Sequence, residues 1–139
     1  MDQSKGITSN IDLEELANLL NLKVNYIGFA ENLKGTKIKN GSYIINLGDD
    51  MIKGTHWTIL HIKDKDAYYF DSFGVVPEDH LIKWLGRDVQ YNKKQLQSIN
   101  SQFCGQWSIL AMYYLQKKTG SLKERVDKLT SKFINIRSL

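Results

Sequence analysis

The segment 104–118 constrains the fold more than any other part of this chain. When it is wound as a helix, apolar or small residues fall on nearly every side, and few polar side chains remain to face water. A helix that is apolar nearly all round has to be buried. Lysines and a glycine follow, as is typical of a helix C-terminus. We therefore predict a buried helix from Cys104 to Lys118.

The length and composition are those of one globular domain. The chain has 139 residues, 42% hydrophobic and 24% charged, so we predict a single domain over residues 1–139. Its single cysteine excludes an internal disulfide and indicates a reducing compartment. No apolar run approaches the roughly 18 to 20 residues of a membrane-spanning helix. The polar N-terminus also lacks the apolar segment of a secretory signal. We expect a soluble intracellular protein with no membrane partner, or one packaged inside a particle.

Three more helices are predicted, at residues 11–20, at residues 78–85 and from residue 121 onward. The first has apolar residues at helical spacing and a capping residue before it. Pro77 stands just before the second, where proline is tolerated, and Gly86 follows its last residue. Ser121 and Glu124 form a capping box that opens the last one.

Runs rich in β-branched and aromatic residues predict strands at 24–29, 36–39, 42–47, 56–62, 67–71 and 87–91. The dipeptide Asn40-Gly41 between two of these runs is typical of a tight hairpin. The charged turn 63–66 joins the runs on either side of it as an antiparallel pair. These strands and helices predict an α+β domain in which helices flank a small, mostly antiparallel sheet.

Cys104 is the candidate nucleophile. At the start of a buried helix, its thiol faces unpaired backbone N–H groups and the positive end of the helix dipole, which favour the thiolate. Gly105 leaves room beside it for a substrate chain. The alternative is a buried structural cysteine, the commoner role of a lone cysteine.

His56 and Asp71 are the candidate base and orienting acid. In a hairpin with its turn at 63–66, they lie within one pair of facing each other across the two strands. A carboxylate beside a histidine fixes its tautomer and stabilises the imidazolium form, as the third member of a catalytic triad does. The alternative is a half-buried histidine with a surface aspartate.

Gln97 is the candidate oxyanion donor. It lies in a polar loop, seven residues before Cys104. A side-chain amide there would join the backbone N–H of Cys104 in an oxyanion hole. Gln95 and Gln102 compete for the role, and a merely solvated loop is the alternative.

The histidines and the cysteine match no metal-binding pattern. His56 and His61 lie five residues apart on one predicted strand and point to opposite faces. His80 lies on a predicted helix, and one cysteine does not complete a zinc site. We predict no metal and no cofactor.

Three motifs resemble the adenain family, the maturation cysteine proteases of adenoviruses and of adenovirus-like elements such as virophages. They are Gly54-Thr-His56-Trp57, Tyr69-Phe-Asp71-Ser-Phe73-Gly74 and Gln97-Ser-Ile-Asn-Ser-Gln-Phe-Cys104-Gly105. They lie in about half of the chain, in the family's order of His, acid, Gln and Cys. The resemblance implies a papain-like or adenain-like fold, which the SUMO-deconjugating proteases share. It also implies that His56 is the general base, Asp71 the orienting acid, Gln97 the oxyanion donor and Cys104 the nucleophile.

The resemblance also covers two tryptophans and includes departures. Trp57 matches the aromatic residue after the family's histidine, and Trp84 falls where the family has an aromatic residue near the histidine ring. The adenoviral enzyme has glutamate where this chain has Asp71, a chemically equivalent change. It joins an activating peptide through a second cysteine, which this chain lacks. We therefore expect no disulfide-linked peptide cofactor.

We expect from the resemblance a monomeric cysteine endopeptidase that cleaves viral capsid or core precursor proteins. It would act in the virion interior, and in the host cytoplasm or virus factory during assembly. A second hypothesis keeps the triad but makes it a deconjugating protease for a ubiquitin-like modifier with a Gly-Gly tail. A third is a basic, nucleic-acid-binding capsid accessory protein in which the triad is incidental.

The charge is unevenly distributed. The net charge is +4, and residues 71–139 hold most of the basic excess. Residues 117–137 contain seven basic and two acidic side chains. A basic face on the last helix would let the protein bind DNA, and a lysine-rich surface that only keeps the protein in solution is the alternative.

Overall fold

The computed structural model describes residues 9–47, 56–96 and 104–137. These form an α+β fold with one five-stranded sheet and four α-helices in the described part of the chain. In chain order the elements are α1 (Asn10–Leu19), β1 (Tyr26–Phe29), a 3-10 helix (Ala30–Leu33), β2 (Gly41–Asn46), β3 (Trp57–Lys63), β4 (Asp66–Phe70), α2 (Asp79–Leu85), β5 (Gln90–Tyr91), α3 (Cys104–Lys117) and α4 (Leu122–Arg137). The α+β class is confirmed, and so is the position of Cys104 at the start of a buried helix.

The strands follow one another across the sheet in chain order. The two central pairs, β2 with β3 and β3 with β4, are antiparallel, whereas the outer pairs, β1 with β2 and β4 with β5, are parallel. Lys63 pairs with Asp66 at the turn between β3 and β4, and Ile59 pairs with Phe70 further along. The hairpin predicted around the turn 63–66 is therefore confirmed.

The hairpin predicted at Asn40-Gly41 is wrong. Residues 36–39 form no strand, and β2 pairs with β1 and β3 instead. The Asn40 side chain accepts a hydrogen bond from the backbone N–H of Asp64 at 2.9 Å, so it is bound to the β3–β4 turn. Gly41 has a φ of +128°, which a residue with a side chain rarely adopts. The Asn-Gly signal thus marks the entry into a strand whose partners are distant in sequence.

The core lies on both faces of the sheet. On one face, Ile44, Ile59 and Phe70 pack with residues of α1, α3 and α4. On the other face, Ile45 and Leu60 pack with residues of the 3-10 helix and α2. Successive residues of a strand point to opposite faces, so a strand covered on both faces is apolar throughout.

The four α-helices start and end close to the predicted residues. Ser9 caps α1 through a capping box with Asp12, and Gly86 ends α2 in the left-handed conformation. Ser121 and Glu124 exchange hydrogen bonds at the start of α4, as the predicted capping box requires. None of the helices in these described ranges is long and apolar enough to span a membrane.

Candidate active site

The ends of three elements, two of them the adjacent strands β3 and β4, meet at one place. His56 immediately precedes β3, Asp71 immediately follows β4, and Cys104 begins α3. Because β3 and β4 are antiparallel, the start of one lies beside the end of the other. All three side chains are buried, with exposed fractions of 2% for His56, 0% for Asp71 and 6% for Cys104. The structure thus brings together three of the four residues that sequence analysis selected.

Cys104 is held against the first residue of β3. The backbone N–H of Trp57 donates to Cys104 Sγ at 3.4 Å, and the Ser108 hydroxyl donates to the backbone carbonyl of Trp57 at 2.9 Å. Ser108 lies one helical turn after Cys104, so both side chains face the same strand. An N–H donor and the positive end of the α3 dipole both stabilise a negative charge on the sulfur.

His56 forms a short hydrogen bond with the carboxylate of Asp71. Its Nε2 lies 2.7 Å from Asp71 Oδ1, and the backbone N–H of Phe73 donates to the same oxygen at 2.8 Å. Burial lowers the pKa of His56, but hydrogen bonds to Asp71 and Cys104 and the negative charges of both groups outweigh it and raise the pKa to about 9. The imidazolium form therefore predominates at neutral pH beside the cysteine sulfur.

Phe73 supports the histidine ring. Its ring stacks on that of His56, with centroids 4.2 Å apart and an angle of 2° between the planes. This residue lies inside one of the motifs quoted above, but sequence analysis gave it no role. The available signal was an aromatic residue two positions after Asp71, just beyond the end of β4.

The structure does not bring Trp84 to the His56 ring. Trp84 belongs to the core cluster on the opposite face from Cys104, where its ring meets that of Tyr43 edge-on at 5.2 Å. Its indole N–H donates to the backbone carbonyl of Thr36. The physical reason is that α2 packs against the 3-10 helix, so the expected support from Trp84 is supplied by Phe73.

Trp57 and Gly105 both lie beside Cys104. The Trp57 side chain is 4% exposed and packs in the core cluster that contains Cys104. Its backbone N–H donates to the cysteine sulfur. Gly105 is buried in the first turn of α3.

Sequence analysis missed Asn92, a buried residue that follows β5. Its side chain forms hydrogen bonds with both the backbone N–H and the backbone carbonyl of Asp71. Its only signal in the sequence was its position directly after a predicted strand, in the stretch that leads to Gln97. The contact joins residues 21 positions apart, which no local pattern reports.

Gln97 and Gln102 lie outside the described residues, so the oxyanion role of Gln97 stays a prediction. The preceding residue, Leu96, is buried and donates its backbone N–H to the carbonyl of Ser72 at 2.8 Å. Gln95 is exposed. Among the residues described by the structure, no group of three or more His, Cys, Asp or Glu side chains could hold a metal ion.

Comparison with known proteins gives a likeness of fold. No protein-family model matches the sequence, and no curated protein matches it. Among solved structures, the chain is similar to the ASFV pS273R protease, with a TM-score of 0.55 and 14% sequence identity. The match covers 88% of this chain and 62% of that one. At this identity the likeness shows a shared fold, and the chain spans about three fifths of the length of the protease it matches.

Proposed function

We propose that this protein is a cysteine endopeptidase in which Cys104 is the nucleophile, His56 the general acid and base, and Asp71 the orienting acid. One observation carries the proposal: a cysteine at the start of a buried helix lies beside a histidine whose other side is bound by a buried carboxylate. A structural cysteine needs neither partner. The likeness in fold to a protease adds support.

In the acylation step, the Cys104 thiolate attacks the scissile carbonyl carbon and a carbon–sulfur bond forms. The backbone N–H of Cys104 and the side-chain amide of Gln97 hold the oxyanion of the tetrahedral intermediate. The His56 imidazolium then gives its proton to the leaving amine as the peptide bond breaks. Asp71 and the stacked ring of Phe73 keep the imidazole in the required orientation.

In the deacylation step, neutral His56 takes a proton from water, which attacks the thioester carbon. The carbon–sulfur bond breaks, the carboxylic acid product leaves, and the thiolate of Cys104 is restored beside the imidazolium of His56. His56 gives one proton in acylation and takes one in deacylation, so Asp71 does not have to titrate.

We further propose that the substrates are capsid or core precursor proteins of a virus or virus-like element, cleaved next to small residues, especially glycine. This would place the enzyme in the virion interior and, during assembly, in the host cytoplasm or virus factory. The sequence motifs support this substrate class through their resemblance to the adenain family. Mapping the new termini after incubation with the major capsid precursor of the same element would test it. Cleavage only of a Gly-Gly-tailed modifier would favour the deconjugating alternative.

Alkylation of Cys104 tests the enzyme itself. Because Cys104 is the only cysteine, modification by iodoacetamide reports on this thiol alone. We expect rapid alkylation at pH 6, where an ordinary thiol is almost fully protonated. In a His56→Ala variant we expect the alkylation rate to be lower by about tenfold or more. Cys104→Ala should abolish peptide hydrolysis and leave the fold intact. An inert thiol, or hydrolysis retained by Cys104→Ala, would instead favour the accessory-protein hypothesis.

A further inference from the structure

Asn92 is a buried side chain to which the mechanism above gives no part. It follows β5 directly and is 5% exposed. Its Oδ1 accepts a hydrogen bond from the backbone N–H of Asp71 at 2.9 Å, and its Nδ2 donates to the backbone carbonyl of Asp71 at 2.6 Å. One side chain therefore binds both backbone polar groups of the residue that carries the orienting carboxylate.

The position of Asn92 explains this arrangement. Backbone pairing between the parallel strands β4 and β5 ends at Tyr69 and Tyr91. Beyond that point the Asn92 amide supplies with side-chain atoms the donor and acceptor that a neighbouring strand would supply with its backbone. Its Nδ2 also donates to the Lys94 carbonyl at 3.2 Å. Asp71 is thus tied to the segment that leads through Leu96 toward Cys104.

We propose that Asn92 is a positioning residue of the candidate active site, which holds the Asp71 carboxylate against Nε2 of His56 by fixing the Asp71 backbone. The contribution of Asn92 to catalysis rests on the proposed protease function. Asn92 itself touches none of the reacting atoms and acts only through Asp71. The charged groups that face His56 are Asp71 and Cys104, so a carboxylate that moves away removes one of the two groups that favour the imidazolium form.

Gln116 provides a matched control. Its Oε1 accepts from the backbone N–H of Lys23 at 3.0 Å, and its Nε2 donates to the carbonyl of the same residue at 2.6 Å. It also donates to the Ser42 hydroxyl, so it makes three hydrogen bonds, as Asn92 does. Asn92→Ala and Gln116→Ala therefore each remove a side-chain amide that binds both backbone groups of one residue. That residue is Asp71 in the first variant and Lys23 in the second.

The experiment measures the His56 pKa by NMR titration of the imidazole nitrogens in both variants and in the parent. The chain has three histidines, so the spectrum is simple, and the exposed His80 serves as an internal reference. We expect the His56 pKa to fall by about one unit or more in Asn92→Ala and to stay unchanged in Gln116→Ala. Urea denaturation of both variants measures how much stability each amide provides.

Equal His56 pKa values in the two variants would overturn the proposal and leave Asn92 a purely structural residue. If Asn92→Ala does not fold, Asn92→Gln gives the same comparison, because the extra methylene group shifts the amide by about 1.5 Å out of register with the Asp71 backbone. If Cys104 of the parent protein is inert to iodoacetamide, the protease function fails. The NMR comparison still decides whether Asn92 positions Asp71 in that case.

Discussion

At the scale of single residues, Trp57 contributes to the candidate site through its backbone. Its N–H contacts the cysteine sulfur and its carbonyl accepts from Ser108, so the backbone of this one residue of β3 holds the first turn of α3. The resemblance directed attention to the indole ring, which is buried in the core. A substitution that keeps the ring's volume should therefore preserve the position of Cys104, since the contact does not depend on side-chain chemistry.

The pH dependence of hydrolysis follows from the His56–Asp71 pair. The raised pKa of His56, about 9, means that the imidazolium form is present below that pH and is lost above it. In the proposed mechanism this form protonates the leaving amine, so we expect kcat/KM to fall as the pH rises through about 9. The same proton stabilises the folded state fully below the ordinary histidine pKa of about 6.5. That stabilisation is lost as the pH rises through the folded-state pKa of about 9.

Asp71→Asn should move this alkaline limb to lower pH, because it removes the negative charge that raises the His56 pKa. Glu78→Gln is the matched control, since Glu78 lies 3.1 Å from the exposed His80 and removing its charge leaves His56 untouched. The measurement is a pH profile of kcat/KM for each variant. An alkaline limb that stays in place in Asp71→Asn would mean that a different acid orients His56.

At the scale of elements, sequence patterns gave the β3–β4 hairpin correctly because its register depends on a local turn. They failed at Asn40-Gly41 because the partner of Asn40 is Asp64, in a different turn. The same limit explains the site. The meeting of His56, Asp71 and Cys104 could be predicted from short motifs, whereas the contacts of Asn92 and the position of Trp84 depend on how elements pack, which no single segment shows.

The helix α3 is also bound at its C-terminal end. Arg125, on α4, donates from Nη1 to the carbonyl of Leu115 at 2.6 Å and from Nε to the carbonyl of Gly120 at 2.9 Å. These carbonyls lie in and just after the last turn of α3, where no backbone N–H of the helix is available. A basic residue counted above as part of a DNA-binding face is therefore buried and used for capping.

Arg125→Met should destabilise the protein by about 2 to 3 kcal/mol, because it keeps the apolar stem but leaves buried carbonyls without their charged donor. Lys128→Met is the control, because it removes a positive charge from the same helix and the hydrogen bond of Lys128 to the Thr119 carbonyl is exposed. Urea denaturation of both variants measures the difference. Equal denaturation midpoints would show that water replaces the guanidinium with little loss of stability.

At the scale of the whole molecule, the sheet separates two core layers. The helices α1, α3 and α4 cover the face that carries Cys104, while the 3-10 helix and α2 cover the other. Several basic residues of the C-terminal region have structural partners. Arg125 caps α3, and Lys123 pairs with Asp127 at 2.7 Å. The basic face is therefore smaller than the sequence alone indicates.

DNA binding by this face is the last prediction. The lysines at its centre are Lys118, Lys128 and Lys132, which line one concave surface with Glu124 and Asp127. About three phosphate contacts would give binding that is independent of sequence, with a log–log salt slope of about −3. Such binding would be measurable at about 50 mM salt and nearly lost above physiological ionic strength.

Changing these three lysines to glutamate should abolish the binding, because each substitution replaces a counterion-releasing contact with a repulsive one. The matched control changes Lys34, Lys37 and Lys39, which are exposed, to glutamate and alters the net charge equally. Fluorescence anisotropy with a random-sequence duplex across a salt series separates the two variants. Equal weakening in both would mean that only the overall charge of the protein acts. Absence of binding by the parent at about 50 mM salt would leave α4 a solvated helix and remove DNA from the mechanism.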